Sequence, residues 1–154
     1  MHPAISETGG RFACIIRPLC PNGIRNMLEE TFANTDTPLS TSNTRDGILI
    51  RSACHDGNAR LVFTGEFKAV SAAQERTYRQ FKLSFSGIAS YICTELDLCP
   101  LDAKMSANFN IIENSAFVRA HRLDGFTHYI LSSYDYTYQI VAQNMAFDLL
   151  PEQA

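Results

Sequence analysis

The stretch Ser71-Ala-Ala-Gln-Glu-Arg-Thr-Tyr-Arg-Gln-Phe-Lys-Leu-Ser-Phe-Ser-Gly-Ile-Ala-Ser-Tyr-Ile-Cys-Thr-Glu-Leu96 decides the fold. With a helical period, Tyr78, Phe81, Phe85, Ile88, Ile92 and Leu96 step by three and four and form one apolar stripe. With a period of two, Phe81, Leu83 and Phe85 alternate with Lys82, Ser84 and Ser86, and Gly87 closes the run. The stripe persists for about six turns and opens with the helix formers Ala72, Ala73, Gln74 and Glu75. These features favour one long helix, with Gly87 in its interior at a cost of ~1 kcal/mol relative to alanine.

Around that stretch lie strand and hairpin signals. Arg11 to Arg17 reads as a strand stopped by Pro18 and Pro21. Asn22 looks like the N-cap of a short helix carrying Ile24, Met27, Leu28 and Phe32 on one face and ending at Asn34. Residues 35–46, rich in Ser, Thr, Asn and Asp, form an expected mobile surface loop. Asp56-Gly57 marks a two-residue hairpin turn, which would pair Cys54 with Ala59, Ser52 with Leu61 and Ile50 with Phe63. A short strand follows at 108–112. The pattern Tyr138, Val141, Ala142, Met145 and Leu149 fits a closing helix before Pro151.

The second Asp-Gly, Asp124-Gly125, carries the chemical lead. A type I′ turn there joins the expected strands 116–123 and 126–134 and sets His121 opposite His128. Directly opposed residues have Cβ atoms roughly 5 Å apart, so the imidazoles could share a proton, an anion or a metal. Arg119 lies on the same face. A zinc site would need a third ligand, and spacing names none. The ordinary alternative is two surface histidines that happen to oppose each other. Tyr134, Tyr136 and Tyr138 alternate just beyond, a stripe that could stack on a ligand ring or anchor a partner, or simply half-bury in an edge strand. Cys54-His55-Asp56 fails as a nucleophile triad, because adjacent strand residues point to opposite faces.

Composition bounds the rest. The chain has 154 residues, 45% apolar and 19% charged, enough for one domain over 1–154 with its own core. A net charge of −3 gives no attraction to a phosphate backbone or an anionic membrane, so neither nucleic acid nor membrane is expected as a partner. No apolar run reaches the length of a membrane span. The five cysteines are an odd number in a chain that is not small, which argues for the cytoplasm over a disulfide framework. No phosphate loop, dinucleotide fingerprint, HExxH or G-x-S-x-G occurs, so no enzyme class is signposted and no cofactor or metal is expected.

The expected architecture is α+β: an antiparallel sheet of four to six strands, flat or curved, packed in two layers against two or three helices including the long one. The leading functional expectation is a binding domain for a small apolar or aromatic ligand. Its pocket would lie between sheet and long helix, lined by Tyr134 and Tyr136, with Arg119, His121 and His128 at its polar end. The alternative is an interaction module, such as an inhibitor, immunity factor or chaperone, binding a partner protein or a second copy as a homodimer. The third is an enzyme with a histidine as general base.

Overall fold

The computed structural model of the chain describes residues 29–70, 76–98 and 105–151. They form one seven-stranded antiparallel sheet: β1 (Thr31–Asn34), β2 (Ile48–His55), β3 (Arg60–Val70), β4 (Arg76–Glu95), β5 (Phe109–Glu113), β6 (Thr127–Ser132) and β7 (Tyr136–Leu149). The spatial order is β1-β5-β6-β7-β4-β3-β2. The described residues contain one short α-helix, α1 (Ala116–Ala120), and two 3-10 turns.

The long helix is therefore corrected to a strand. Phe81, Leu83 and Phe85 are all fully buried, while Lys82 and Ser84 are half-buried and Ser86 is exposed. The period of two wins because residues 77–95 are dominated by Thr, Tyr, Phe, Ile and Ser, which pack well on a pleated surface and stabilise a helix poorly. At 20 residues β4 far exceeds an ordinary strand, and it manages this by bending. Gly87 adopts φ +64, and the ladder to β7 slips between Ile88 and Ser90. That bulge inserts an extra residue and sharpens the local twist.

The closing helix is also corrected, to β7. The first half of β7 buries both faces, Tyr138, Ile140 and Ala142 on one and Thr137 and Val141 on the other. A strand buried on both sides reads as a continuous apolar run, which periodicity alone cannot tell from a helix. With both helices gone, the two-layer sheet-on-helix arrangement gives way to a sheet rolled on itself, of seven strands instead of four to six.

The bend in β4 produces the roll. Arg76–Ser86 pair with β3, whereas Ile88–Glu95 pair only with β7, beyond which lie β6, β5 and β1. The two halves meet through aromatic rings. Phe63 on β3 lies 5.0 Å from Tyr138 on β7. Phe85 on β4 lies 5.1 Å from Tyr129 on β6 and 6.4 Å from Phe109 on β5. Residues 35–46 contribute to this core despite their polar composition. Leu39, in the 3-10 turn Pro38–Thr41, is fully buried, and the Ser40 hydroxyl donates to the Phe109 carbonyl at 2.6 Å.

Other expectations change in register. β2 and β3 do form a hairpin, but His55 faces Leu61 and Ala53 faces Phe63, with a slip between Ile50 and Ser52. Four residues, Asp56 to Ala59, make the connection, with positive φ at Gly57 and Ala59. Cys54 consequently pairs with Val62 and is exposed, not on the core face. The expected strand at 11–17 and most of the helix at 22–34 lie outside the described residues; Thr31–Asn34, the end of that helix, is strand β1.

Candidate functional site

His121 and His128 are not neighbours across a ladder. The run before Asp124-Gly125 is α1, capped by Ser115, whose hydroxyl accepts from the Val118 N–H at 3.3 Å, and by the Glu30 carboxylate, which accepts from the Ala116 N–H at 2.6 Å. It closes with Arg122 in the left-handed region at φ 52. The Leu123 N–H bonds the Val118 carbonyl and the Arg122 N–H the Arg119 carbonyl, the paired bonds of a Schellman ending. A tight turn does follow, with the Phe126 N–H on the Leu123 carbonyl, but among its two central residues only Gly125 has positive φ. A type I′ turn needs both, so this reversal does not register two strands.

The residues of the expected polar end consequently separate. His121 is exposed at the helix end, and its Nδ1–H donates to the Phe117 carbonyl at 2.9 Å. Arg119 is exposed and its guanidinium donates to the Asn114 carbonyl. His128 is 8% exposed, on β6 beneath α1, with Nδ1 at 2.8 Å from the Ser115 hydroxyl. The Phe117 ring stands between the imidazoles, 4.3 Å from His121 and 6.1 Å from His128. Burial pulls the His128 pKa down, against the opposing pull of Glu30 and of a hydrogen bond that the ring donates to the Gln139 side chain. A serine, a histidine and a carboxylate are thus close, but Ser115 is buried and engaged as a helix cap, so the group has no open nucleophile.

Tyr134 and Tyr136 lie at the opposite end of β6, six or more residues from His128, which is roughly 20 Å along an extended chain. They border a half-open cleft of about 260 Å³. One wall is the run Leu49 to Ala53 of β2; the other is the β6–β7 turn with Tyr134, Asp135, Tyr136 and Tyr138. Tyr138 is the hub. It stacks on Tyr91 at 6.4 Å and contacts Phe63 and Tyr136. Burial, then the neighbouring Cys93 and Tyr91, push its phenol up to about 12. Tyr91, Tyr134 and Tyr136 remain 36%, 46% and 45% exposed around it. The expected stripe Tyr134, Tyr136 and Tyr138 is thus split: β7 begins only at Tyr136, and Tyr138 alone is buried.

The backbone of β2 supplies the cleft's second property. The Tyr134 N–H donates to the Ile48 carbonyl at 3.0 Å, so Ile48 directs its polar groups away from β3. Antiparallel ladders alternate direction, and Ile50 therefore also faces outward, along the cleft. Among the described residues no strand pairs with this edge of β2. Sequence reading missed Tyr91, Ile50 and Arg45 as neighbours of the site. The strand reading of 81–95 would have placed Tyr91 on a sheet; nothing local joins it to Tyr138.

The described residues hold no group of three His, Cys, Asp or Glu side chains arranged to bind a metal. No described helix is long and apolar enough to cross a membrane. Comparison with family models, with curated proteins and with solved structures finds no match to this chain.

Proposed function

We propose that this chain is an interaction module that takes an extended segment of a partner polypeptide along the outer edge of β2. One observation carries the reading: an edge of β2 that none of the described strands covers runs beside an aromatic cleft. Unpaired backbone donors and acceptors template a further strand, and rings beside them give it side-chain contacts. The cleft volume of about 260 Å³ falls short of the roughly 300–1,000 Å³ of sites that enclose small organic molecules. An extended peptide needs no such enclosure. Its alternate side chains would sit between Ile50 and Ala53 on one wall and Tyr136 and Tyr138 on the other, so apolar residues at every second position are favoured. Tyr134 and Tyr136 keep the binding role expected of them, whereas Arg119, His121 and His128 stand apart from this site. Exposed free thiols at Cys54 and Cys93 fit work in the reducing cytoplasm.

The test is selection of linear peptides on the purified protein. Peptides with alternating apolar residues are expected, losing about tenfold or more in affinity on Tyr134→Ala/Tyr136→Ala, as for aromatic contacts at an interface centre. Ile50→Pro, which removes an outward N–H, is expected to act likewise. Selected peptides that bind both variants as well as the parent would defeat the reading. So would a stable homodimer whose mass falls to one chain on Ile50→Pro, since the edge would then belong to a second copy.

A further inference from the structure

The edge of β2 is closed at one end. The Tyr134 N–H occupies the Ile48 carbonyl at 3.0 Å, so the backbone of the β6–β7 turn stands where a strand added along β2 would reach Ile48. Further bonds hold this plug in place. The Tyr134 carbonyl accepts from Arg45 Nε at 3.2 Å, and the Asp135 carbonyl accepts from the Leu96 N–H at 2.8 Å. Within the turn, the Ser133 N–H and hydroxyl both donate to the Tyr136 carbonyl, at 2.8 and 2.9 Å. Past the plug, residues 50–55 complete β2, roughly 20 Å of edge at strand spacing. An extended segment laid on this edge therefore meets a wall beside the start of β2, and a chain terminus fits there without a bend.

Charge decides which terminus. Two charged residues line the cleft, Arg51 and Asp135. The Arg51 guanidinium is held by Glu66 at 3.2 Å. Asp135 is exposed and makes no ion pair among the described residues. Arg45 lies over the Tyr134 ring, 5.4 Å from its centre, but it lines the cavity on the other side of the turn, where both oxygens of Asp97 occupy it. The blind end thus presents an unpaired carboxylate between the exposed rings of Tyr134 and Tyr136. Carboxylate and ring faces both attract an ammonium group and repel a second carboxylate. Because β2 runs away from this end, a segment that begins here lies parallel to it. A segment that ended here would lie antiparallel, with its carboxylate against Asp135. Parallel pairing is only slightly less stable per residue, so on an edge this short the terminal charge sets the direction.

We infer, on the reading of β2 as a strand acceptor, that the site takes the free N-terminus of its partner. The α-ammonium sits at Asp135 against the Tyr134 and Tyr136 rings, and the residues after it extend parallel to β2 from Ile50. An N-acetyl group or a preceding residue removes the charge and meets the Tyr134 backbone.

The experiment displays one random hexapeptide library to the full chain in two orientations, anchored through its C-terminus or through its N-terminus. Enrichment is expected only where the amine is free. The best binder is then made as a C-terminal amide with a free or an acetylated N-terminus. Acetylation is expected to weaken it at least tenfold. Asp135→Asn should weaken the free peptide about threefold, the scale of a screened ion pair, and leave the acetylated one unchanged. Equal binding of the two peptides overturns the inference, as does enrichment only with a free C-terminus. So does an equal effect of Asp135→Asn on both peptides. Enrichment in both orientations, lost on Ile50→Pro, overturns the inference and leaves the strand-acceptor reading standing. No enrichment in either orientation overturns both.

Discussion

His128 is a base held in a place that suits its neutral form. Burial dominates over Glu30 and Gln139, so its folded pKa lies below the ordinary value of 6.5. The unfolded chain therefore takes up the proton first as pH falls. Stability from this residue is full above about pH 6.5 and declines as pH drops through that value, levelling once the folded imidazole is also protonated. Unfolding by urea at about pH 7.5 and about pH 5 should show this decline in the parent and a shallower one in His128→Gln. Equal slopes would mean that His128 titrates alike in both states. The position of His128 was not legible in its neighbours. Phe126 to Ser132 reads as a strand in either account, but which face of that strand is covered depends on α1, and α1 depends on a glutamate more than eighty residues away in the chain.

At the scale of elements, two backbone positions carry opposite expectations. Gly87 gives β4 its bend at φ +64, and a Cβ there would stand 3.0 Å from the Gln143 Cβ. Gly87→Ala combines left-handed strain of about 1–2 kcal/mol with a crowded neighbour, so a loss of about 2 kcal/mol or more is expected in thermal melts. Gly57→Ala, at φ +78 with nothing within 4 Å, carries the strain alone and should lose less. Equal losses would show that crowding at Gln143 counts for nothing. Arg122 is the reverse case, a non-glycine residue at the left-handed end of α1. Arg122→Gly should raise stability by up to about 1 kcal/mol, read as a higher denaturant midpoint. The bend also explains why 71–96 misleads. Phe81 to Phe85 alternate cleanly, but Ile92 and Leu96 follow the slip that lies between Ile88 and Ser90, and together with Ile88 they imitate a helical stripe.

For the whole molecule, the roll stands on contacts between two halves of the sheet that share the β4–β7 ladder. Phe85 is the clearest of these, fully buried and touching Phe63, Phe109 and Tyr129. Phe85→Ala should cost about 3–5 kcal/mol, and β6 and β5 amides should lose hydrogen-exchange protection along with those of β3. Loss confined to β3 would show that the halves are stable separately. The same roll brings the tyrosine cleft together, since Tyr91 and Tyr138 reach Phe63 only when the sheet curls.

Some of this was settled by local sequence. Asp56-Gly57 dictated a reversal and residues 108–112 a short strand, whereas the alternation of Phe81, Leu83 and Phe85 stood beside a helical stripe that outweighed it. These signals act within a few residues, where steric limits on φ and side-chain alternation are enough. Only the folded chain decided that residues 76–95 are one bent strand, that 116–120 coil into a helix, and that the tyrosines gather while the histidines part. Each of those outcomes rests on partners from distant strands, and burial on both faces erases the periodicity by which a sequence announces them.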